Sequence, residues 1–151
     1  MPEPSVRRRR SDAGRSRLPE PVADALAALL RGQQRPQMHA LQHQLEAVCG
    51  RLGERTPARS TIYRFMVHCS PSRYPIAELP EAVQQALYNL DTDREVSGHQ
   101  LAFYAFNYGD APAMAFAADL PWLDLYQAAR MRGWRPRRFD ELRTVMRRRG
   151  I

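Results

Sequence analysis

The chain has 151 residues, of which 44% are hydrophobic and 9% aromatic, so it can bury a core and a wholly disordered protein is excluded. All 23 basic residues are arginine and the formal net charge is +7, which favours a polyanionic partner, although a GC-rich genome produces the same arginine bias. The sequence lacks an apolar run of about 18 residues and the apolar stretch of a signal peptide, so we expect a cytoplasmic protein without a membrane span.

Charge changes sign twice along the chain. Residues 1–77 carry thirteen Arg and six acidic residues, residues 78–124 carry one Arg and eight acidic residues, and residues 125–151 carry nine Arg and two acidic residues. The first and last segments therefore suit a polyanion, which the middle segment would repel.

The first 17 residues contain six Arg and few apolar groups, which predicts a disordered Arg-rich arm. Arg7, Arg8, Arg9 and Arg10 are predicted to contact the DNA backbone. The alternative is a solvated tail with no partner.

Two amphipathic helices are predicted next. Apolar residues recur at helix spacing from Pro21 until Gly32 breaks the pattern. A second stripe follows Pro36 and ends at Gly53.

A third helix is predicted to be short and to have two different faces. Thr56 is predicted to cap it, Pro57 to take its first position, and it runs to about His68. Its apolar face would carry Ile62, Phe65 and Met66. Its outward face would carry Arg59, Ser60, Tyr63, Arg64 and Val67.

The stretch RLGERTPARSTIYRF, residues 51–65, resembles the helix-turn-helix superfamily of bacterial regulators, resolvases and transposases. There, a helix that ends in Leu-Gly precedes a recognition helix of the form Arg-Ser-Thr-aliphatic-Tyr-Arg, and the resemblance covers about residues 37–68. It implies that the outward side chains of the third helix lie in the major groove of double-stranded DNA or on its phosphate edges. The predicted DNA-binding residues are Arg55, Arg59, Ser60, Thr61, Tyr63 and Arg64.

The chemistry of these side chains favours the same interpretation without the resemblance. Arg can donate two hydrogen bonds to guanine O6 and N7, and Ser, Thr and Tyr hydroxyls reach phosphates and base edges. The alternative is an ordinary surface helix with a solvated polar face.

The second half of the chain, residues 78–151, is predicted to be a helical interaction or dimerisation domain. Helices are predicted over residues 80–90, 97–108, 111–119, 121–132 and 138–150. Ser97 and Gln100 have the spacing of a capping box, and residues 73–77 have a weak strand pattern.

Residues 111–134 contain a weaker copy of the helix-turn-helix pattern. Its outward face would include Asp124, Tyr126 and Gln127, where an acidic flank repels phosphate. Trp122 and Tyr126 are more typical of a core, so we expect a scaffold or partner-binding helix pair. The stretch RMRGWRPRR, residues 130–138, could hold phosphate or pair with the acidic segment of another subunit.

Two possible reactive sites are discounted. His39 and His43 stand one helical turn apart, but the chain offers no further metal-binding motif beside them. A Cys69 thiol assisted by His99 has no local signature. Both cysteines, at 49 and 69, are expected to be small core residues.

The sequence thus predicts an all-α protein, with a helix-turn-helix three-helix unit in residues 18–77 followed by a second small helical unit in residues 78–151. We expect a homodimeric, sequence-specific transcriptional regulator, such as a repressor, without catalytic residues, metal or cofactor. The alternative is an antitoxin or adaptor whose acidic, aromatic segment 78–124 binds a basic, toxin-like protein, with or without repression of its own operon. A transposase or recombinase accessory, and structured RNA in place of DNA, also stay open.

Overall fold

A computed structural model describes residues 18–69 and 72–151 of the chain. The predicted arm, with Arg7, Arg8, Arg9 and Arg10, lies outside the described residues. Its contacts with DNA therefore stay a prediction.

The described residues are mostly helical, which confirms the all-α expectation apart from one small sheet. The eight helices in this part of the chain are α1 Glu20–Leu30, α2 Met38–Leu52, α3 Arg59–His68, α4 Glu81–Ala86, α5 Gly98–Tyr108, α6 Ala111–Ala118, α7 Trp122–Ala128 and α8 Pro136–Arg148. A single 3₁₀ turn, Ile76–Glu78, precedes α4.

The sheet is an antiparallel pair of strands, β1 Arg73–Pro75 and β2 Glu95–Ser97. β1 falls within the predicted strand stretch, whereas β2 was not predicted. Three residues are too few to show a strand period, and their pairing partner lies far away in the sequence.

The helix boundaries follow local sequence signals closely in α1 and α2. Gly53 ends α2 with a φ of 69°, a left-handed backbone that glycine adopts at little steric cost. The predicted capping box at α5 is wrong, because the Ser97 hydroxyl contacts Gln100 Oε1 at 3.1 Å and leaves the helix backbone uncapped by that side chain.

Two clusters of buried side chains hold the molecule together. The first comprises Val22, Leu26, Leu30, Leu41, Leu45, Cys49, Ile62, Met66, Trp122, Leu123 and Tyr126, from α1, α2, α3 and α7. The second joins α4, α5, α6 and α8 and receives Leu125 and Ala128 from α7. α7 therefore belongs to both clusters, although the predicted boundary after residue 77 assigns it to the second unit.

The position of α7 corrects the prediction for residues 111–134. All seven residues of α7 are buried, including Asp124 and Gln127, which were predicted to face outward. They are covered because α7 lies between the two clusters. The core placement of Trp122 and Tyr126 is confirmed, and Trp122 Nε1 donates to the Leu30 carbonyl at 3.0 Å.

Candidate nucleic-acid interface

The structure places most of the predicted outward residues of α3 on one exposed face. These exposed residues are Arg59, Ser60, Tyr63 and Arg64. Thr61 is half-buried at the edge of that face, whereas Ile62 and Met66 are fully buried on the opposite side. The 3.6-residue period of the helix separates the two sets.

One outward position was predicted wrongly. Val67 is partly buried and packs against the first cluster together with Phe65, because α7 covers this end of α3. Arg55, the remaining predicted site residue, is exposed in the segment that joins α2 to α3. The six predicted DNA-binding residues therefore all lie on α3 or in the segment directly before it. Five of them are exposed, and Thr61 is half-buried.

The start of α3 differs from the prediction. The helix begins at Arg59, and the residue before it is Ala58, whose backbone is extended with a ψ of 157°. Thr56 is therefore not the cap, and Pro57 lies before the helix. The Ala58 carbonyl accepts from the amides of Thr61 and Ile62 at 3.0 and 3.1 Å.

A side chain of α2 holds one of the candidate DNA-binding residues. Arg59 Nε donates to Gln42 Oε1 at 2.8 Å, so the Arg59 guanidinium is oriented while the side chain stays exposed. The role of Gln42 has no local signal in the sequence, because a polar residue on an amphipathic helix does not indicate a contact seventeen residues away.

The end of α3 is fixed by a buried amide from α7. Gln127 Nε2 donates to the carbonyl of Met66 at 2.8 Å and to the carbonyl of Cys69. The last carbonyls of a helix lack partners inside the helix, so this amide satisfies them. A glutamine within the apolar sequence WLDLYQA was the available signal for such a role.

A buried carboxyl lies beside this contact. Tyr74 on β1 donates its hydroxyl to Asp124 Oδ2 at 3.2 Å. Burial raises the pKa of Asp124 to about 6 and that of Tyr74 to about 12, because both charged forms lose hydration. Gly98 packs directly on this carboxyl, since a Cβ there would lie 2.1 Å from Asp124 Cγ.

The fold brings Cys69 and His99 to the same glutamine, Gln127, but does not activate the thiol. Cys69 is half-buried rather than in the core, and burial raises the pKa of its thiol to about 11. The thiolate is the nucleophilic form of cysteine, so this environment opposes nucleophilic catalysis. Burial also lowers the pKa of His99.

The described residues offer neither a metal cluster nor a membrane-spanning helix. Within residues 18–69 and 72–151, no group of three or more His, Cys, Asp or Glu side chains could hold a metal ion, and His39 and His43 are exposed on α2. No helix in that part of the chain has the length and apolar character needed to cross a membrane.

Comparison of the chain with protein-family models, with curated proteins and with solved structures finds no match.

Proposed function

We propose that the protein is a sequence-specific transcriptional regulator that binds double-stranded DNA through the exposed face of α3. The observation that carries this proposal is the division of α3 itself. Arg59, Ser60, Tyr63 and Arg64 are exposed together, while the opposite side of the same helix is anchored in the first cluster. A rigid helix with clustered donors fits the major groove.

Each side chain has a defined task in this proposal. Arg59 and Arg64 contact base edges or phosphates. The hydrogen bond from Arg59 to Gln42 already orients the Arg59 side chain, so binding costs less side-chain entropy than it would for an unrestrained arginine. Arg55, ahead of the helix, contacts the backbone of the duplex.

The unit departs from an ordinary helix-turn-helix in its connection. Residues 53–58 separate α2 from α3, whereas a typical turn has about three to four residues. α3 also contacts α7, which lies far away in the sequence. The proposal is therefore a helix-turn-helix with an extended turn, whose recognition helix is supported by a helix of the second half.

A homodimer is part of the proposal. One short helix buries little surface on DNA, and dimers gain affinity by binding two half-sites about 34–36 Å apart. A footprint on the DNA upstream of the gene should then show two protected half-sites related by a pseudo-twofold axis.

The direct test is binding of the full chain to that upstream DNA, measured by gel shift with random duplex as competitor. Arg59→Ala and Arg64→Ala should each weaken binding to the specific site by ~1–3 kcal/mol if the lost contact is a forked one to guanine. If the contact is to phosphate, both duplexes should be bound less well and the salt slope should fall by about one.

A matched control separates the contact from simple charge loss. Arg94→Ala removes one positive charge from an exposed arginine that pairs with Asp91, far along the chain from α3. This variant should bind as the parent does. Parent affinity in both α3 variants would rule out α3 as the recognition helix.

A further inference from the structure

Three tyrosine rings meet on the surface where α4 ends and α5 runs alongside it. The ring centroids of Tyr88 lie 6.4 Å from Tyr104 and 5.7 Å from Tyr108, and the last two are 5.8 Å apart. Tyr88 is 68% exposed and Tyr108 37% exposed. These three residues are called the tyrosine cluster, and at least two of its rings offer area to a partner.

An arginine-containing turn, residues 129–135, is fixed next to the cluster by a buried amide of α5. Asn107 Nδ2 donates to the Gly133 carbonyl at 3.0 Å, and its Oδ1 accepts from the Arg135 amide at 2.9 Å. Asn107 is completely buried, so both ends of its side chain are committed to holding this turn. The turn is therefore in place before any partner arrives.

Aromatic packing joins the turn to the cluster. The Trp134 ring lies 4.9 Å from Phe103, which in turn lies 6.3 Å from Tyr108. Trp134 Nε1 also donates to the Ala128 carbonyl at 2.9 Å. The indole of Trp134 is thus a structural anchor that connects the turn to the rings of α5.

The turn places one arginine, Arg135, at the rings and carries a second exposed arginine, Arg132. The Arg135 guanidinium carbon lies 4.8 Å from the centroid of Tyr108. Arg132 and Arg135 are both exposed, and neither forms an ion pair with a carboxylate in the part of the chain that the structure describes. Their charges are therefore available to an anion.

Two carboxylates that follow the tyrosines in sequence have partners of their own. Asp91 lies 3.6 Å from Arg94, and the Asp110 carboxyl accepts from the Ala113 amide at 3.0 Å as the cap of α6. In the sequence, the three tyrosines belong to the acidic segment 78–124. In the fold, the arginine-containing turn lies next to them.

We propose that the tyrosine cluster and the arginine-containing turn form a second nucleic-acid site, specific for single-stranded DNA or RNA. Every base has a face that can stack on an exposed aromatic ring, and arginines beside such rings bind the phosphates that connect successive bases. Paired bases in a duplex are already stacked, so they cannot use the rings. This site does not depend on the proposed role of α3.

The test uses the full chain and two labelled oligonucleotides of about 12 nucleotides, oligo-dT and oligo-rU, in fluorescence anisotropy. Tyr88→Ala should weaken binding about tenfold, whereas Tyr88→Phe, which keeps the ring, should stay within about twofold of the parent. Arg135→Ala should weaken binding and reduce its salt dependence. The oligonucleotide whose binding responds to Tyr88→Ala identifies the strand type.

A matched control removes a charge outside both proposed sites. Arg31→Ala removes an exposed arginine that directly follows α1. This variant should bind single strands as the parent does. A loss in Arg31→Ala that equals the loss in Arg135→Ala would show that binding follows overall charge and would overturn the proposal.

Two other results would also overturn it. Unchanged affinity of Tyr88→Ala for both oligonucleotides would show that the rings do not stack on bases. Conversion of a parent dimer to a monomer by Tyr88→Ala, measured by sedimentation, would show that a second copy covers the cluster. Duplex binding is measured in parallel with Arg59→Ala, so failure of the α3 proposal and failure of this one are read from different variants.

Discussion

At the scale of single residues, the molecule is most unusual at the buried carboxyl of Asp124. Its side chain, on α7, is covered by α5 and β1, is 2% exposed, and accepts a hydrogen bond from Tyr74. Ionisation there costs free energy because the carboxylate loses its hydration and gains little in return. The position is therefore sensitive to pH.

The pH dependence has a definite sign. The pKa of Asp124 is raised from 3.8 to about 6, so the folded state holds its proton when the unfolded state has released it. Between about pH 4 and pH 6 this residue therefore lowers the free energy of unfolding as pH rises, by on the order of 3 kcal/mol in all.

Asp124→Asn should remove that dependence. At about pH 8 the variant should have a higher free energy of unfolding than the parent, and at about pH 4 the two values should be similar. Urea unfolding across that range measures both. His99 contributes with the opposite sign, because burial lowers its pKa, so the difference between variant and parent isolates Asp124. An equal difference at both pH values would contradict the raised pKa.

At the scale of elements, local sequence signals predict a helix correctly where residues of that same segment determine its ends. The predicted end of α2 at Gly53 and of α3 at about His68 are confirmed, and so is the burial of Ile62 and Met66. The exposed face of α3 follows from the same periodicity. What the face binds stays a prediction.

Several missed features depend on contacts between distant parts of the chain. The support of α3 by Gln42 and Gln127 joins residues that sequence spacing does not relate. The complete burial of α7 likewise results from its neighbours. A seven-residue helix that contains Asp124 and Gln127 has no hydrophobic pattern that would predict burial on every side.

The close approach of α5 and α7 gives a test at this scale. In Gly98→Ala the added Cβ would lie 2.1 Å from Asp124 Cγ, so either this buried carboxyl must move or the helices must separate, and we expect the free energy of unfolding to fall by ~1–3 kcal/mol. Gly50→Ala is the matched control, because nothing lies within 4 Å of a Cβ there and the exposed helical site should gain ~0.5–1 kcal/mol. Denaturant unfolding of both variants measures the two changes. Stabilisation by both substitutions would contradict the packing of α5 on α7.

At the scale of the whole molecule, α7 makes the two clusters interdependent. It supplies Trp122, Leu123 and Tyr126 to the first cluster and Leu125 and Ala128 to the second. Losing α7 would expose apolar surface on both sides at once, at about 25 cal/mol per Å². The two halves that the charge pattern suggests should therefore unfold together.

The two tryptophans allow this cooperativity to be measured. Trp122 is buried in the first cluster and Trp134 packs against the second. In Trp134→Phe, the fluorescence of Trp122 reports the first cluster; in Trp122→Phe, the fluorescence of Trp134 reports the second. Far-UV circular dichroism of the same samples reports all helices.

Within each variant, the urea midpoints from fluorescence and circular dichroism should coincide, because a single cooperative transition gives one midpoint for every probe. The comparison is made inside one protein, so the destabilisation expected when Trp122 loses its hydrogen bond to the Leu30 carbonyl does not affect it. A Trp122 midpoint at a different urea concentration from the dichroism midpoint would mean that the first cluster unfolds separately. In that case α7 would leave one cluster while remaining in the other, and the support of α3 by Gln127 could be lost without unfolding the second half.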